Sequence, residues 1–301
     1  MKFGITMPNS WGIKDPQQAL AFGPLAEDLG FDSVWVMEHV FNTGFIKDRL
    51  QDGNYYHPLA TLTYMAATTK KVMLGTSVLV LPYHNAIQLA KFAATLDQMS
   101  AGRLVLGVGA GALQVEFEAL GVPMKGRGAW TSDCIRMMKE LWTNPVPSYQ
   151  SRRWNFSGNY FSPKPVQKPH IPLWVGGSSP AALKRAATLG DGWHPSGISP
   201  EEFAIGRQEL IRLAEAAGRD ANQMDLSARI ELDVPGDDSV RRTNDRRASL
   251  PGDDPGQMTA MIKAYEDVGV EHVILSTNTG NVANLTRQLE IVARDVIPQF
   301  N

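Results

Sequence analysis

The chain has 301 residues, a formal net charge of -2, 20% charged residues and one cysteine. The near-neutral balance leaves no general case for nucleic acid or an anionic membrane as a partner, and one cysteine excludes an internal disulfide and a cysteine metal cluster. The opening "MKFGITMPNS" is too short an apolar run for a signal peptide and no run reaches membrane-spanning length, so the expected location is the cytoplasm.

Short apolar runs alternate with helical patterns along the chain. "KFGITMP" precedes the helix pattern "DPQQALAFGPLAEDLG", with Asp15 as cap, Pro16 at the first helical position and Gly30 at the close. "SVWVMEHV" leads into helix "HPLATLTYMAATT", and "KVMLGTSVLVLP" into "NAIQLAKFAATLDQMSAG". "RLVLGVGAG" precedes a broken helical region from Val115 to Trp142, in which Cys134 reads as a small buried hydrophobe. "IPLWVGG" precedes helix "PAALKRAATLG", and "DGWHPSG" precedes "PEEFAIGRQELIRLAEAAG". "MDLSARIELDV" precedes "DPGQMTAMIKAYEDVG", and "HVILST" precedes "NVANLTRQLEIVARDVI".

That makes eight strand–helix units, with Val, Leu and Ile in the strands and little alternation, as expected when both sheet faces are buried. The pattern predicts an α/β fold, a (β/α)8 TIM barrel spanning residues 1–301 as a single domain. A doubly wound open sheet is the alternative. Two segments exceed ordinary loops. Residues 143–170, an insertion between helix 4 and strand 5, are rich in proline and aromatics; "RWNFSGNYFSP" reads as a small hairpin within reach of the barrel mouth. Residues 235–256 form a polar loop after strand 7, on the catalytic side by topology: a lid, or a solvated loop.

Barrel chemistry sits at the C-terminal ends of strands. Those ends hold Glu38, His39, His194, Glu231 and Asp233, among many glycines and small hydroxyls. Such a set suits a flat cofactor that carries the hard chemistry better than it suits a hydrolase. His39, His57, His84 and His194 converge on paper, but HxH and HExxH spacings are absent, and no metal site is expected. "GVGAG" is a weak match to the dinucleotide fingerprint and fails on context, because it ends the fourth strand. In "WVGGSSP", Gly176 and Gly177 allow close approach of backbone N–H groups to a ligand, and the helix start behind Ser178 and Ser179 favours an anion. This turn is a phosphate seat or a bare strand–helix junction.

The segments "GFDSVWVMEHV", "LGTSVLVLP", "LDQMSAGRLVLGVGAG", "EFEALGVP", "PKPVQKPHIPLWVGGSS" and "AATLGDGW" occur in this order along the chain. Together they resemble the luciferase-like flavin and deazaflavin oxidoreductases, the bacterial luciferase superfamily. The wording is most similar to the branch dependent on coenzyme F-420, an 8-hydroxy-5-deazaflavin. The resemblance implies a barrel holding the ring at its mouth, over a bulge made by a non-prolyl cis peptide between Ser77 and Val78. It implies that His39 faces the ring as acid or base, and that Glu38 stands where relatives carry an acidic cofactor contact. Alternation along a strand would turn only one of this adjacent pair straight into the mouth. Val80, Ala110, Gly111, Gly176, Gly177 and Ser179, with Ser178 in the same turn, match further cofactor contacts. One departure stands out. The sugar-phosphate dehydrogenases of the branch place a glutamate directly after Gly-x-Gly, where this chain has Ala112. Glucose 6-phosphate is therefore not the expected substrate, unless Gln114 or Glu116 substitutes, and helix geometry would turn one of those two away.

The function implied is hydride transfer between F-420 and a small organic substrate, apolar or aromatic if Trp11, Trp154, Phe156, Tyr160 and Trp193 line the pocket. The alternatives are an FMN-dependent monooxygenase fed by a separate reductase, and a non-catalytic flavin-binding accessory protein. Arg152, Arg153, Lys164 and Lys168 either meet the carboxylates of the deazaflavin tail or form a solvated basic loop. Relatives are commonly homodimers. Ala86, Ala90, Ala93 and Ala94 are small enough to admit a partner helix, or to seat their own helix on the barrel.

Overall fold

The computed structural model describes residues 1–234, 249–277 and 279–300. Its barrel strands are β1 (Lys2–Thr6), β2 (Ser33–Val36), β3 (Met73–Thr76), β4 (Leu104–Gly109), β5 (Leu173–Gly176), β6 (Gly192–His194), β7 (Asp225–Asp233) and β8 (His272–Thr277). All pair in parallel, each with the next, and β8 returns to β1. The sheet is closed, so the barrel is present and the open sheet is excluded. β3 breaks at Ser77 and Val78 and resumes as Leu79–Val80, paired with β4.

Helices cover the outside. The first expected helix is split at Ala21 into α1 (Pro16–Leu20) and α2 (Phe22–Asp28), with Asp15 accepting from Gln17 N as its cap. α3 (Phe45–Leu50) follows β2 and has no periodic signal in the sequence. α4 (Pro58–Thr68) and α5 (Ala86–Met99) come next, and the broken region resolves into α6 (Gln114–Ala119) and α7 (Arg127–Thr143). α8 (Pro180–Leu189), α9 (Pro200–Ala216), α10 (Pro255–Asp267) and α11 (Val282–Ile291) complete the ring. Cys134 on α7 is fully buried, and burial pushes its thiol up to about 12.

The barrel interior is an aromatic plug. Trp35 stacks on Trp174 at 5.2 Å and on His194 at 5.0 Å, with its Nε1 donating to Ser33 Oγ at 2.7 Å. Glycines in neighbouring strands leave the room: a Cβ on Gly75 would lie 2.2 Å from the Trp35 ring, and one on Gly4 2.7 Å from its Nε1. This plug fills the interior of the barrel.

Several expectations shift. Ala86, Ala90, Ala93 and Ala94 are fully buried against their own barrel, and the outer face of α5 instead exposes Phe92 and Met99. The hairpin in the insertion lies upstream of the expected one, with Tyr149–Gln150 paired to Asn155–Phe156. The insertion packs outside the barrel: Asp97 accepts from Val166 N and Gln167 N, and Tyr149 Oη donates to Asp133. Of the polar loop after β7, residues 235–248 lie outside the described residues. Its end forms a short strand, Ser249–Pro251, parallel to β7, with Leu250 fully buried.

Replacing Trp35 with Ala empties the centre of the plug. The variant should lose roughly 3–5 kcal/mol of unfolding free energy, read as a lower urea midpoint.

Candidate active site

A cavity of about 700 Å³ opens at the C-terminal ends of the strands. Glu38, His39, Ser77, Val78, Val80, Ala110, Gly111, Gly176, Gly177 and Ser179 all line it. Ser178 does not; it is exposed beside the turn. Glu38 and His39 both reach the cavity, against the expected alternation, because β2 ends at Val36 and the pleat no longer governs them.

His39 is held by Glu116. The carboxylate is fully buried and takes four donors: His39 Nδ1 at 3.1 Å, Val40 N at 2.6 Å, Phe41 N at 3.2 Å and Tyr83 Oη at 3.0 Å. Burial alone would raise its pKa, but the hydrogen bonds from His39, Val40 and Phe41 outweigh burial and hold it below the ordinary carboxylate range. An ionised Glu116 accepts the Nδ1 proton, so in a neutral imidazole the lone pair lies on Nε2. The ring meets Phe45 edge-on at 5.8 Å and Tyr55 at 5.7 Å, which fixes its plane. Gln114 turns away and pairs with Glu118 on the exposed side of α6, so helix geometry selects Glu116. Glu116 does not occupy the place of the absent glutamate at Ala112; it stands behind His39.

Glu38 is committed on both oxygens, to Val80 N at 2.6 Å and to His84 Nε2 at 2.8 Å. It ties the end of β2 to the resumed part of β3.

The peptide joining Ser77 to Val78 is cis. Val78 projects over three glycines: Cβ atoms on Gly109 and Gly176 would each lie 2.8 Å from its methyls, and one on Gly107 3.5 Å away. Gly176 is therefore needed to make room for Val78, and it also lines the cavity. Beneath this shelf a hydrogen-bond chain has one consistent direction. Arg229 donates to the Ser77 carbonyl at 2.8 Å and to its Oγ at 3.2 Å, and Ser77 Oγ donates to His194 Nε2 at 2.8 Å. His194 Nδ1 donates to Ser227 Oγ at 2.8 Å, which donates to the Trp193 carbonyl at 3.2 Å. Burial, reinforced by Arg229 and His272, brings His194 down to about 3 and keeps it neutral.

The far side of the cavity is built for an anion. Gly177, at φ +95°, exposes its backbone at the turn into α8, and its carbonyl is held by Trp193 Nε1 at 2.9 Å. The start of α7 lines the same space with no side-chain cap at Gly126, whereas at α8 Ser179 Oγ caps Ala182 N and Pro180 carries no N–H. Arg127 and Arg185 line this end, fixed by Gly111 O at 2.9 Å and Gly128 O at 2.9 Å. A flat apolar shelf beside a cationic turn fits a ring-and-phosphate cofactor.

The sequence reading missed Tyr83, Tyr55, Arg49, Arg127, Arg185 and Arg229, all of which line the cavity. Arg229 was in principle visible as a charge within an apolar strand. The other five lie in loops or in α3, α7 and α8, without a pattern of their own. Trp11, Trp154, Phe156, Tyr160 and Trp193 do not line the cavity; Trp193 is core, stacked on Phe203 at 4.8 Å. Arg152, Arg153, Lys164 and Lys168 also lie away from it, with Arg153 over the Trp130 ring and Lys164 on the Leu141 carbonyl. Among the described residues no three His, Cys, Asp or Glu side chains group as a metal site, and no helix is long and apolar enough to cross a membrane.

Fold and site together define a (β/α)8 barrel with a carboxylate-held histidine, an apolar shelf and a cationic turn at its mouth. Residues 1–248 match the family model of luciferase-like monooxygenases, and the chain belongs to that family. It is 28% identical, over 330 aligned positions covering 95% of both chains, to an F420-dependent glucose-6-phosphate dehydrogenase of Amycolatopsis mediterranei. An F420-dependent secondary alcohol dehydrogenase, solved with an F420–acetone adduct, superposes with a TM-score of 0.83 at 20% identity, over 100% of this chain and 99% of that one. The oxygenating constituent of 3,6-diketocamphane monooxygenase from Pseudomonas putida, solved with FMN, superposes with a TM-score of 0.74 at 16% identity, over 99% of this chain and 98% of that one. At those identities the two structures speak for the fold alone.

Replacing Glu116 with Gln removes the charge that four donors share. The variant should lose roughly 1–3 kcal/mol of stability at neutral pH. Because the folded pKa lies below the ordinary 4.5, that contribution is complete above 4.5 and fades as the pH falls through the folded value. Urea titrations of both proteins should show the gap between them shrinking on acidification.

Proposed function

We propose that the protein is an oxidoreductase that transfers hydride between coenzyme F420 and a small organic substrate. The observation that carries this reading is His39, locked by Glu116 with Nε2 open to the cavity, across a glycine-floored shelf from an anion seat. A bound deazaflavin would supply the hydride chemistry, and the protein supplies orientation and proton handling. Gly177, Ser179 and the starts of α7 and α8, with Arg127 and Arg185, bind the cofactor phosphate. Val78 supports the ring, Gly109 and Gly176 make room for Val78, and Val80, Ala110 and Gly111 border the ring's edge. His39 Nε2 takes the proton from a substrate hydroxyl, or returns it to a carbonyl oxygen, and the Glu116 carboxylate stabilises the imidazolium formed. Glu38 positions the wall and is not the acid or base, since both its oxygens are committed. Glucose 6-phosphate is outside the proposal, because Ala112 offers no second proton-handling group.

An FMN-dependent monooxygenase served by a separate reductase is the second reading, favoured by a seat that suits either phosphate. We place the protein in the cytoplasm, where the unpaired buried Cys134 suits a reducing compartment. We also propose a homodimer, joined over the apolar groove between α4, α5 and the insertion, where Phe92 is 39%, Met99 68% and Tyr160 86% exposed. Light scattering should give a dimer for the native chain and a monomer for Phe92→Asp.

Titration with F420 and with FMN, followed by fluorescence, separates the two readings: F420 should bind more tightly, and tighter FMN binding would overturn the first. Gly177→Val should weaken cofactor binding at least about tenfold. His39→Asn should keep that affinity and lose about 10²–10⁴-fold in single-turnover rate at saturating cofactor. A His39→Asn enzyme with weakened affinity and a normal saturated rate would remove the catalytic assignment.

A further inference from the structure

We propose that the substrate carries a carboxylate, and that Arg49 and Arg229 bind it in the same compartment as His39; this rests on the proposed oxidoreductase site. The two arginines come from α3 and β7, whereas the ends of β4 and β5 make the phosphate seat.

Both guanidinium groups have donors to spare. A guanidinium carries five N–H bonds. Arg49 donates one, to Ser10 O at 3.1 Å, while its plane lies 4.1 Å from the centre of the Trp11 ring. Its Nε is buried and without a partner among the described residues. Arg229 uses Nε on Ser196 Oγ at 2.9 Å and NH1 on Ser77, leaving the donors of NH2 uncommitted.

The nearby anions do not cancel this charge. Glu38 is taken by Val80 and His84, and Glu116 by its four donors. Glu231 couples electrostatically to both arginines but does not line the cavity, and among the described residues it is the one carboxylate coupled to both guanidiniums. Burial raises the Tyr55 hydroxyl well above its usual value, so Tyr55 stays a neutral neighbour. Burial lowers the pKa of both arginines, the sign of charge held away from water without enough compensation. A carboxylate matches the fork of a guanidinium and supplies that compensation. The remaining walls here are Met37, Phe45, Val78 and the Tyr55 ring. The substrate is therefore a small acid with an apolar body, its reacting oxygen at His39 Nε2 and its carboxylate at the arginines.

Benzoate and its neutral isostere benzamide are the probes, titrated calorimetrically into the protein in phosphate buffer so that inorganic phosphate fills the cofactor seat. Benzoate should bind at least about tenfold more tightly than benzamide. Arg49→Gln and Arg229→Gln should each abolish most of that preference. Thermal unfolding verifies that each variant folds, and Arg229→Lys, which keeps the charge and loses the fork, reads the same contact if Arg229→Gln does not. Equal affinities, no measurable benzoate binding, or a preference that survives in both Gln variants would overturn the proposal. F420 binding is followed separately by fluorescence, so a failure of the cofactor reading leaves the comparison of the two probes interpretable.

Discussion

The mouth of this barrel depends on one buried carboxylate. Glu116 accepts from the side chain of His39, from the backbone of Val40 and Phe41 and from the hydroxyl of Tyr83, so it binds the end of β2, the segment after β3 and α6 into one unit. A buried carboxylate is tolerated only when its lone pairs are filled, and here that requirement sets the path of three loops. It also sets the tautomer of His39. Structure and chemistry are coupled through the same two oxygens.

Two histidines show how environment divides their roles. His194 lies under the cis peptide, stacked on Trp35, with both ring nitrogens bound and a pKa brought down to about 3. It stays neutral and serves as part of the floor. His39 stands at the rim, its side chain 24% exposed, with one nitrogen held and the other open. The difference is one of depth in the barrel: His194 is the last residue of β6, and His39 lies three residues beyond the end of β2.

The glycines divide in the same way. Gly4 and Gly75 exist for Trp35, and Gly109 and Gly176 for Val78, because any side chain there would overlap a neighbour. Gly177 differs: its added Cβ would make only ordinary contact, 3.4 Å from Ala182, while its φ of +95° is one that side chains rarely adopt. Adjacent glycines in one turn therefore answer different constraints, one of packing and one of backbone conformation. The ligand-facing turn is shaped by the second and carried on a shelf shaped by the first.

The sequence by itself determined the barrel, since eight apolar runs and their helices leave a closed parallel sheet as the natural way to bury every strand on both faces. It also determined most of the cavity wall, because chain order places strand ends such as His39, Ala110 and Gly177 on one rim. α3 was not legible, being a short helix whose burial depends on contacts far along the chain. Nor were the pairing of His39 with Glu116, the hydrogen bonds that tie Glu38 to Val80 and His84, or the convergence of Arg49 and Arg229. Periodicity records only neighbours along the chain. These groups lie 77, 42, 46 and 180 positions apart (116 − 39, 80 − 38, 84 − 38 and 229 − 49), and only closure of the barrel brings them within reach of one another.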